Sequence, residues 1–381
     1  MPRLSPAGAL SSLYQRLTKY LSDDAQARRE FRWLYEHALN TYTKHAPSAA
    51  HDLGGSGRGV PGRSPLLRSK LEQTRLWRNS PPAGANEVVD GLQAIGPLQL
   101  AWLRQAISDR VDKHKPLQYI LGTQPFDRLE LAVRPPVLIP RPETEEWAIR
   151  VSDAISASLQ QYARRRVRIL DLCSGSGCIS LALASRLPAD TAEIVGVDVS
   201  AKAVLLADEN LSLNERYLRN AVSFYQVDLN GDVSKQMMAV MGAASHDAVV
   251  GEFDVVVSNP PYVSYREYCS LDSDVRDWED PNALVPNFGA TDSLDDDGLR
   301  MIRRIVSLIE RGGPPPSVGD DSAQAQPRTL RLALEIGGSH QVEPVRELVA
   351  SAGFGHIDVW RDLAGTDRTI VGYRGQPLKL V

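Results

Sequence analysis

Residues 167–177 read VRILDLCSGSG, a short apolar run that stops at an acid and passes into a turn with two glycines. The run has the length and branched side chains of a buried strand over 167–170, and the apolar pattern that resumes at Ile179 opens a helix. Gly175 and Gly177 let the main chain come close to a nucleotide-like ligand. The same order repeats downstream, with strands over 193–197, 223–227, 253–258, 330–336, 357–360 and 369–372 and helices over 178–187, 200–213, 298–311 and 341–352. Seven strands separated mostly by helices predict an α/β fold, a seven-stranded Rossmann-like sheet covered on both faces.

Upstream of the sheet the pattern changes. Phe31, Leu34 and Ala38 share one face of a helix over 24–46, and Leu100, Leu103, Ile107 and Val111 mark another. Residues 1–115 therefore read as a small all-α unit. From 119 to 142 the chain reads as short strands and turns (119–122, 129–133, 137–139), which the prolines at 135, 136, 140 and 142 limit to a connecting hairpin over 116–142. The sheet domain then occupies 143–381. Gly, Ser and Pro crowd residues 47–66, a mobile insertion with no strand before it that would make a phosphate loop. The stretches 236–251 and 312–328 read as surface insertions.

The chain has 381 residues, 43% of them hydrophobic, enough for two domains with a large core. A formal charge of −4 gives no global reason to expect a polyanionic partner, and no apolar run is long enough to span a bilayer. Cys173, Cys178 and Cys269 are odd in number and far from any His pair, so neither a disulfide framework nor a metal site is indicated and a reducing compartment fits. The first 22 residues carry Arg3, Arg16 and Lys19, several serines and no acid. That composition suits an organelle transit peptide, and the spacing of Leu10, Leu13 and Leu17 suits an ordinary helix equally well.

Three acidic or amide positions fall at strand ends. Asp198 closes the second strand 21 residues after Gly177, where a carboxylate can accept hydrogen bonds from both ribose hydroxyls of a nucleoside, or cap the helix that starts at Ser200. Asp228 closes the third, near an adenine or simply in a turn. The fourth runs into Asn259-Pro260-Pro261-Tyr262, 88 residues after Asp171. The two prolines fix φ and remove donors, so a rigid lip presents the Asn259 side chain and the Pro260 carbonyl. An amide nitrogen is a poor nucleophile that must be held by both N–H bonds, and these two oxygens can each accept one; Tyr262 can pack on the planar group. Turn and lip together describe a methyl-transfer site.

With these motifs the chain resembles the HemK/PrmC family of protein-(glutamine-N5) methyltransferases. The likeness extends over Lys115 to Gly122, Val137 to Glu145, Asp171 to Gly177, Asn259 to Tyr262, Leu334 to Gly337 and Asp362 to Arg368, in the family's order. It implies a class I methyltransferase fold that moves a methyl group from S-adenosyl-L-methionine to the glutamine of the GGQ motif in a peptide-chain release factor. It further implies that Cys173, Ser174, Gly175, Ser176, Gly177, Asp198, Asp228, Leu229 and Asn259 hold the cofactor, that Asn259, Pro260, Pro261 and Tyr262 hold the target glutamine, and that the helical region recognises the release factor. Cys173 departs from the pattern, standing where many members have the first glycine of the turn. The long 54–65 and 312–328 stretches, with the helical region and the 139–145 segment both present, point to a mitochondrial member rather than a cytosolic one. No membrane association and no direct nucleic-acid substrate are expected. Two other readings stay open: an enzyme that methylates exocyclic amines of flipped bases with the same lip, and a silent methyltransferase fold serving as an assembly factor.

Overall fold

The computed structural model describes residues 6–43, 92, 95–162, 166–241, 253–286, 288, 297–311 and 329–374. The expected insertions at 47–66 and 312–328 lie outside them, as does 242–251 of the third. The chain divides into two compact units, Met1–Leu121 and Gly122–Val381.

The first unit is helical, with helices Pro6–Leu21, Asp24–Thr43, Pro97–Asp112 and Leu117–Leu121. Leu10, Leu13, Tyr14 and Leu17 of the first pack with Phe31 and Leu34 of the second and Leu103 and Ile107 of the third. Residues 6–21 thus form a helix packed into this core. A buried ion pair, Arg110 Nε donating to Glu30 Oε2 at 2.9 Å, ties the second helix to the third.

In the second unit, strands β1 (Thr123–Phe126) and β2 (Leu129–Ala132) form an antiparallel hairpin. Residues 119–122, expected as extended, are instead the end of the Leu117–Leu121 helix and its terminator. Three apolar residues before a glycine carry no period that separates strand from helix. Packing of Leu117, Ile120 and Leu121 in the helical core decides the matter, and Gly122 ends the helix at φ +79°. Residues 137–139, likewise expected as a strand, form none.

The main sheet holds β3 (Val167–Leu172), β4 (Ala192–Asp198), β5 (Ala221–Gln226), β6 (Val255–Ser258), β7 (Thr329–Glu335), β8 (His356–Arg361) and β9 (Asp367–Arg374). Their spatial order is β5-β4-β3-β6-β7-β9-β8, and only β9 runs antiparallel to its neighbours. Successive residues feed opposite layers: Leu170, Val195, Val256 and Leu332 pack under helices Arg300–Arg311 and Ser339–Ser351, while Ile169, Ile194, Val255 and Ala333 pack under Pro142–Tyr162 and Cys178–Arg186. This is the period of two expected of strands covered on both sides. The order reverses between β3 and β6, and in such sheets the crevice beyond the carboxyl ends at the reversal is where ligands bind.

Candidate active site

Strand register brings three of the expected residues to one level. Leu172 of β3 lies opposite Val197 of β4 and Ser258 of β6, so the residues that follow, Cys173, Asp198 and Asn259, leave neighbouring strands side by side at the reversal. Ser258 Oγ donates to the Leu172 carbonyl at 2.7 Å and locks β6 to β3 just below that level.

The 173–177 turn is organised by main-chain groups. Cys173, Gly175 and Gly177 all have positive φ, at +60°, +54° and +80°. A Cβ on Gly177 would stand 2.7 Å from Phe224 Cζ, so packing as well as backbone demands glycine there. A Cβ on Gly175 would meet nothing within 4 Å, so its outer face is open. The Gly175 N–H donates to Asp198 Oδ2 and the Ser200 N–H to Asp198 Oδ1, both at 2.9 Å. Ser200, whose Oγ accepts from Ala203 N, is the helix cap. Asp198 therefore braces the turn and the start of the next helix together, and each oxygen keeps a lone pair for a further donor. Burial pushes its pKa up.

Asp171 lies fully buried near the end of β3. Its Oδ2 accepts from the Ser180 N–H at 3.2 Å and hydroxyl at 2.6 Å. Oδ1 has no protein partner, nor does the buried Ser174 Oγ. Burial, with the charge of Asp198 added, pushes the Asp171 carboxyl up to about 7. Two unpaired buried acceptors beside an open glycine turn are groups that the cationic end of a ligand would satisfy. Asp228 is exposed, and its Oδ1 accepts from Asn230 N at 2.9 Å in a turn. Leu229 beside it is buried, its carbonyl held by Arg304 Nε at 2.5 Å.

The lip is organised by side chains. Asn259 Nδ2 donates to Thr144 Oγ1 at 3.1 Å, and that hydroxyl donates to Glu335 Oε2 at 2.6 Å. Glu335 ends β7 fully buried and accepts also from Trp147 Nε1 at 2.7 Å and from Tyr262 Oη, into Oε1, at 3.0 Å. Burial raises the Glu335 pKa, and the three donors together with Arg368 oppose that rise. Burial and the adjacent Glu335 charge raise the Tyr262 pKa, so the phenol stays neutral. Pro260 and Pro261 are buried. The Tyr262 carbonyl accepts from Gln341 Nε2 at 2.9 Å, and a Cβ on Gly298 would stand 2.1 Å from that carbonyl oxygen.

Reasoning from the sequence did not assign roles to Thr144, Trp147, Glu335 or Gln341. A visible signal existed for one of them: Glu335 is the acid that ends the apolar run Leu332 to Leu334, a pattern that calls for buried partners. Thr144 and Gln341 sit on helices with ordinary amphipathic patterns and gave none.

A family model described as "Methyltransferase small domain" matches residues 151–270. The "Release factor glutamine methyltransferase" of Geobacter sulfurreducens is 32% identical over 319 residues, which cover 82% of this chain and 94% of that one. Its Fusobacterium nucleatum namesake is 33% identical over 269 residues, 71% of this chain and 63% of the relative's longer one. The Schizosaccharomyces pombe protein "Probable MRF1 mitochondrial N(5)-glutamine methyltransferase mtq1" is 30% identical over 264 residues, 68% and 78% of the two chains.

Proposed function

This chain belongs to the release factor glutamine methyltransferase family, and on that premise we propose that it methylates the side-chain nitrogen of the GGQ glutamine in a peptide-chain release factor. The observation that carries the proposal is the Asn259 amide. It stands at the sheet's reversal beside the glycine turn, with Nδ2 engaged by Thr144 and Oδ1 left to accept.

S-adenosyl-L-methionine supplies an electrophilic methyl group on a sulfonium. The turn Cys173, Ser174, Gly175, Ser176 and Gly177 would hold it, with Asp198 accepting from its ribose, Asp228 and Leu229 beside its adenine, and Asp171 Oδ1 and Ser174 Oγ facing its ammonium end. The protein's remaining task is to orient a weak nucleophile. Asn259 Oδ1 and the Pro260 carbonyl each accept one N–H of the glutamine, which turns the nitrogen lone pair toward the cofactor side of the crevice. Pro261 carries no donor that would compete. Holding the pair at near-attack geometry is worth orders of magnitude in rate, because no solvent or side chain must rearrange in the transition state. Tyr262, neutral and tied to Glu335, walls the pocket.

The helical unit is assigned to recognition of the release factor, and a mitochondrial location is favoured by the S. pombe relative's name. The test is labelled-methyl transfer with a release factor, DNA and RNA offered side by side, the product located by mass spectrometry. The methyl group is expected on the GGQ glutamine alone. Changing that glutamine to glutamate should eliminate transfer, since a carboxylate brings no donor to two acceptors. Changing it to asparagine shortens the reach by more than ~1 Å and should cost about 10²-fold. A methyl group on nucleic acid or on another residue overturns the substrate assignment.

A further inference from the structure

We propose that Glu335 and Thr144 are positioning residues that set the polarity of the Asn259 amide, and thereby make the lip select an amide over a carboxylate. The inference rests on the function just proposed.

An asparagine side chain presents an acceptor on one side and two donors on the other, and a half-turn about its last bond exchanges them. Nothing within Asn259 itself decides between the two. The partner on its Nδ2 side, Thr144 Oγ1, could in isolation either donate or accept. Its 2.6 Å contact with Glu335 Oε2 removes that freedom. An ionised carboxylate only accepts, so the single hydroxyl hydrogen of Thr144 points to Glu335, and Thr144 meets Asn259 as an acceptor. Nδ2 must then face Thr144, and Oδ1 must face away, toward the position of the incoming amide. The direction of each hydrogen bond follows from the charge on Glu335.

The surroundings of Glu335 serve that charge. Trp147 Nε1 can only donate, and it shares Oε2 with Thr144. Tyr262 supplies a third donor to Oε1, and Arg368 adds favourable charge. A buried carboxylate is costly unless its lone pairs are filled. Here the helix Pro142–Tyr162 contributes two donors and the lip itself a third, from 191, 188 and 73 residues away in sequence. An apolar side chain in place of the carboxylate would take no hydrogen from Thr144, whereas a glutamine would keep its oxygen toward Trp147 and Thr144 and leave the direction unchanged. With the acceptor gone, Thr144 could donate to Asn259 Oδ1, presenting Nδ2 to the crevice. The reversed lip would repel the N–H bonds of a glutamine and welcome a carboxylate.

The test uses full-length enzyme carrying Glu335→Leu, Thr144→Val or Thr144→Ser. Binding is measured against release factor with the native glutamine and with glutamate in its place, beside single-turnover rates and cofactor affinity. Glu335→Leu should lower the methylation rate about 10²-fold with cofactor affinity unchanged, and should shift the ratio of glutamine-factor to glutamate-factor binding by at least about tenfold toward glutamate. Thr144→Val should lower the rate about tenfold, and Thr144→Ser should restore it to within about threefold, because serine keeps both the hydroxyl and its direction. A loss of rate with an unchanged binding ratio means Glu335 is merely structural and overturns the proposal, as does wild-type behaviour of Thr144→Val. Should Glu335→Leu not fold, the two Thr144 variants decide by themselves, through rate and binding ratio. Failure of the wild-type enzyme to methylate the glutamine would instead strike the proposed function, a separate outcome read from the unmutated protein.

Discussion

The glycine turn and the asparagine lip leave neighbouring strands at one level, yet they are held in opposite ways. The turn is braced by main-chain N–H groups and by residues close in sequence, with Asp171, Ser180, Asp198 and Ser200 spanning a single strand-helix-strand unit. The lip is braced by side chains from distant segments: Thr144 and Trp147 on one helix, Glu335 at a strand end, Gln341 on another helix. A ligand of fixed shape such as a cofactor can be gripped by backbone geometry. Control over which atom of an amide faces a substrate needs side-chain hydrogen bonds whose directions are enforced by further partners.

The sharpest way to break this comparison is Asn259→Ala. It should lower turnover by about 10²–10³-fold and leave the cofactor dissociation constant nearly unchanged. Calorimetric titration beside steady-state kinetics checks both, and a parallel loss of cofactor affinity would merge the two halves into one. Next comes Gly298→Ala, whose new Cβ would sit 2.1 Å from the Tyr262 carbonyl oxygen at φ +69°. The lip must move by a large part of an ångström, which predicts a drop in rate of about 10²-fold together with reduced thermal stability. Gly175→Ala has positive φ but open space, so its cost should stay near ~1 kcal/mol.

On the cofactor side, Asp198→Ala should weaken S-adenosyl-L-methionine binding by roughly 1.5–3 kcal/mol, about 10- to 150-fold, while a rate measured at saturating cofactor changes little. An unaltered dissociation constant would leave Asp198 with its bracing role only.

Smaller still is a pH effect. The folded Asp171 carboxyl, pushed up to about 7 from 3.8, binds its proton more tightly than in the unfolded chain. Its contribution therefore favours folding below about pH 4 and is lost as pH rises to 7. Asp171→Asn removes that dependence, so the melting temperature without cofactor should decline less between pH 4 and 7, by a few degrees. Equal slopes in the two proteins would sink the assignment.

Asp198 makes a contact that its strand-end position did not announce. Its carboxylate accepts from the Gly175 N–H of the turn and from the Ser200 N–H before the next helix, which Ser200 itself caps, and only coordinates reveal that bracing. The misassigned stretch 119–122 shows the opposite limit, for there the local pattern had no preference and burial against the helical core chose.

By itself the sequence determined the alternation of seven strands and their helices, the glycine turn and the position of Asn259 at a strand end. Each of these depends on periodicity and on backbone freedom, properties written into a few consecutive residues. The tertiary structure alone decided the strand order that sets turn and lip side by side, the partners of Glu335 and the direction in which the Asn259 amide points. Those depend on groups up to 191 residues apart meeting within hydrogen-bond distance in a buried space, where the geometry of the whole sheet fixes which donor finds which acceptor.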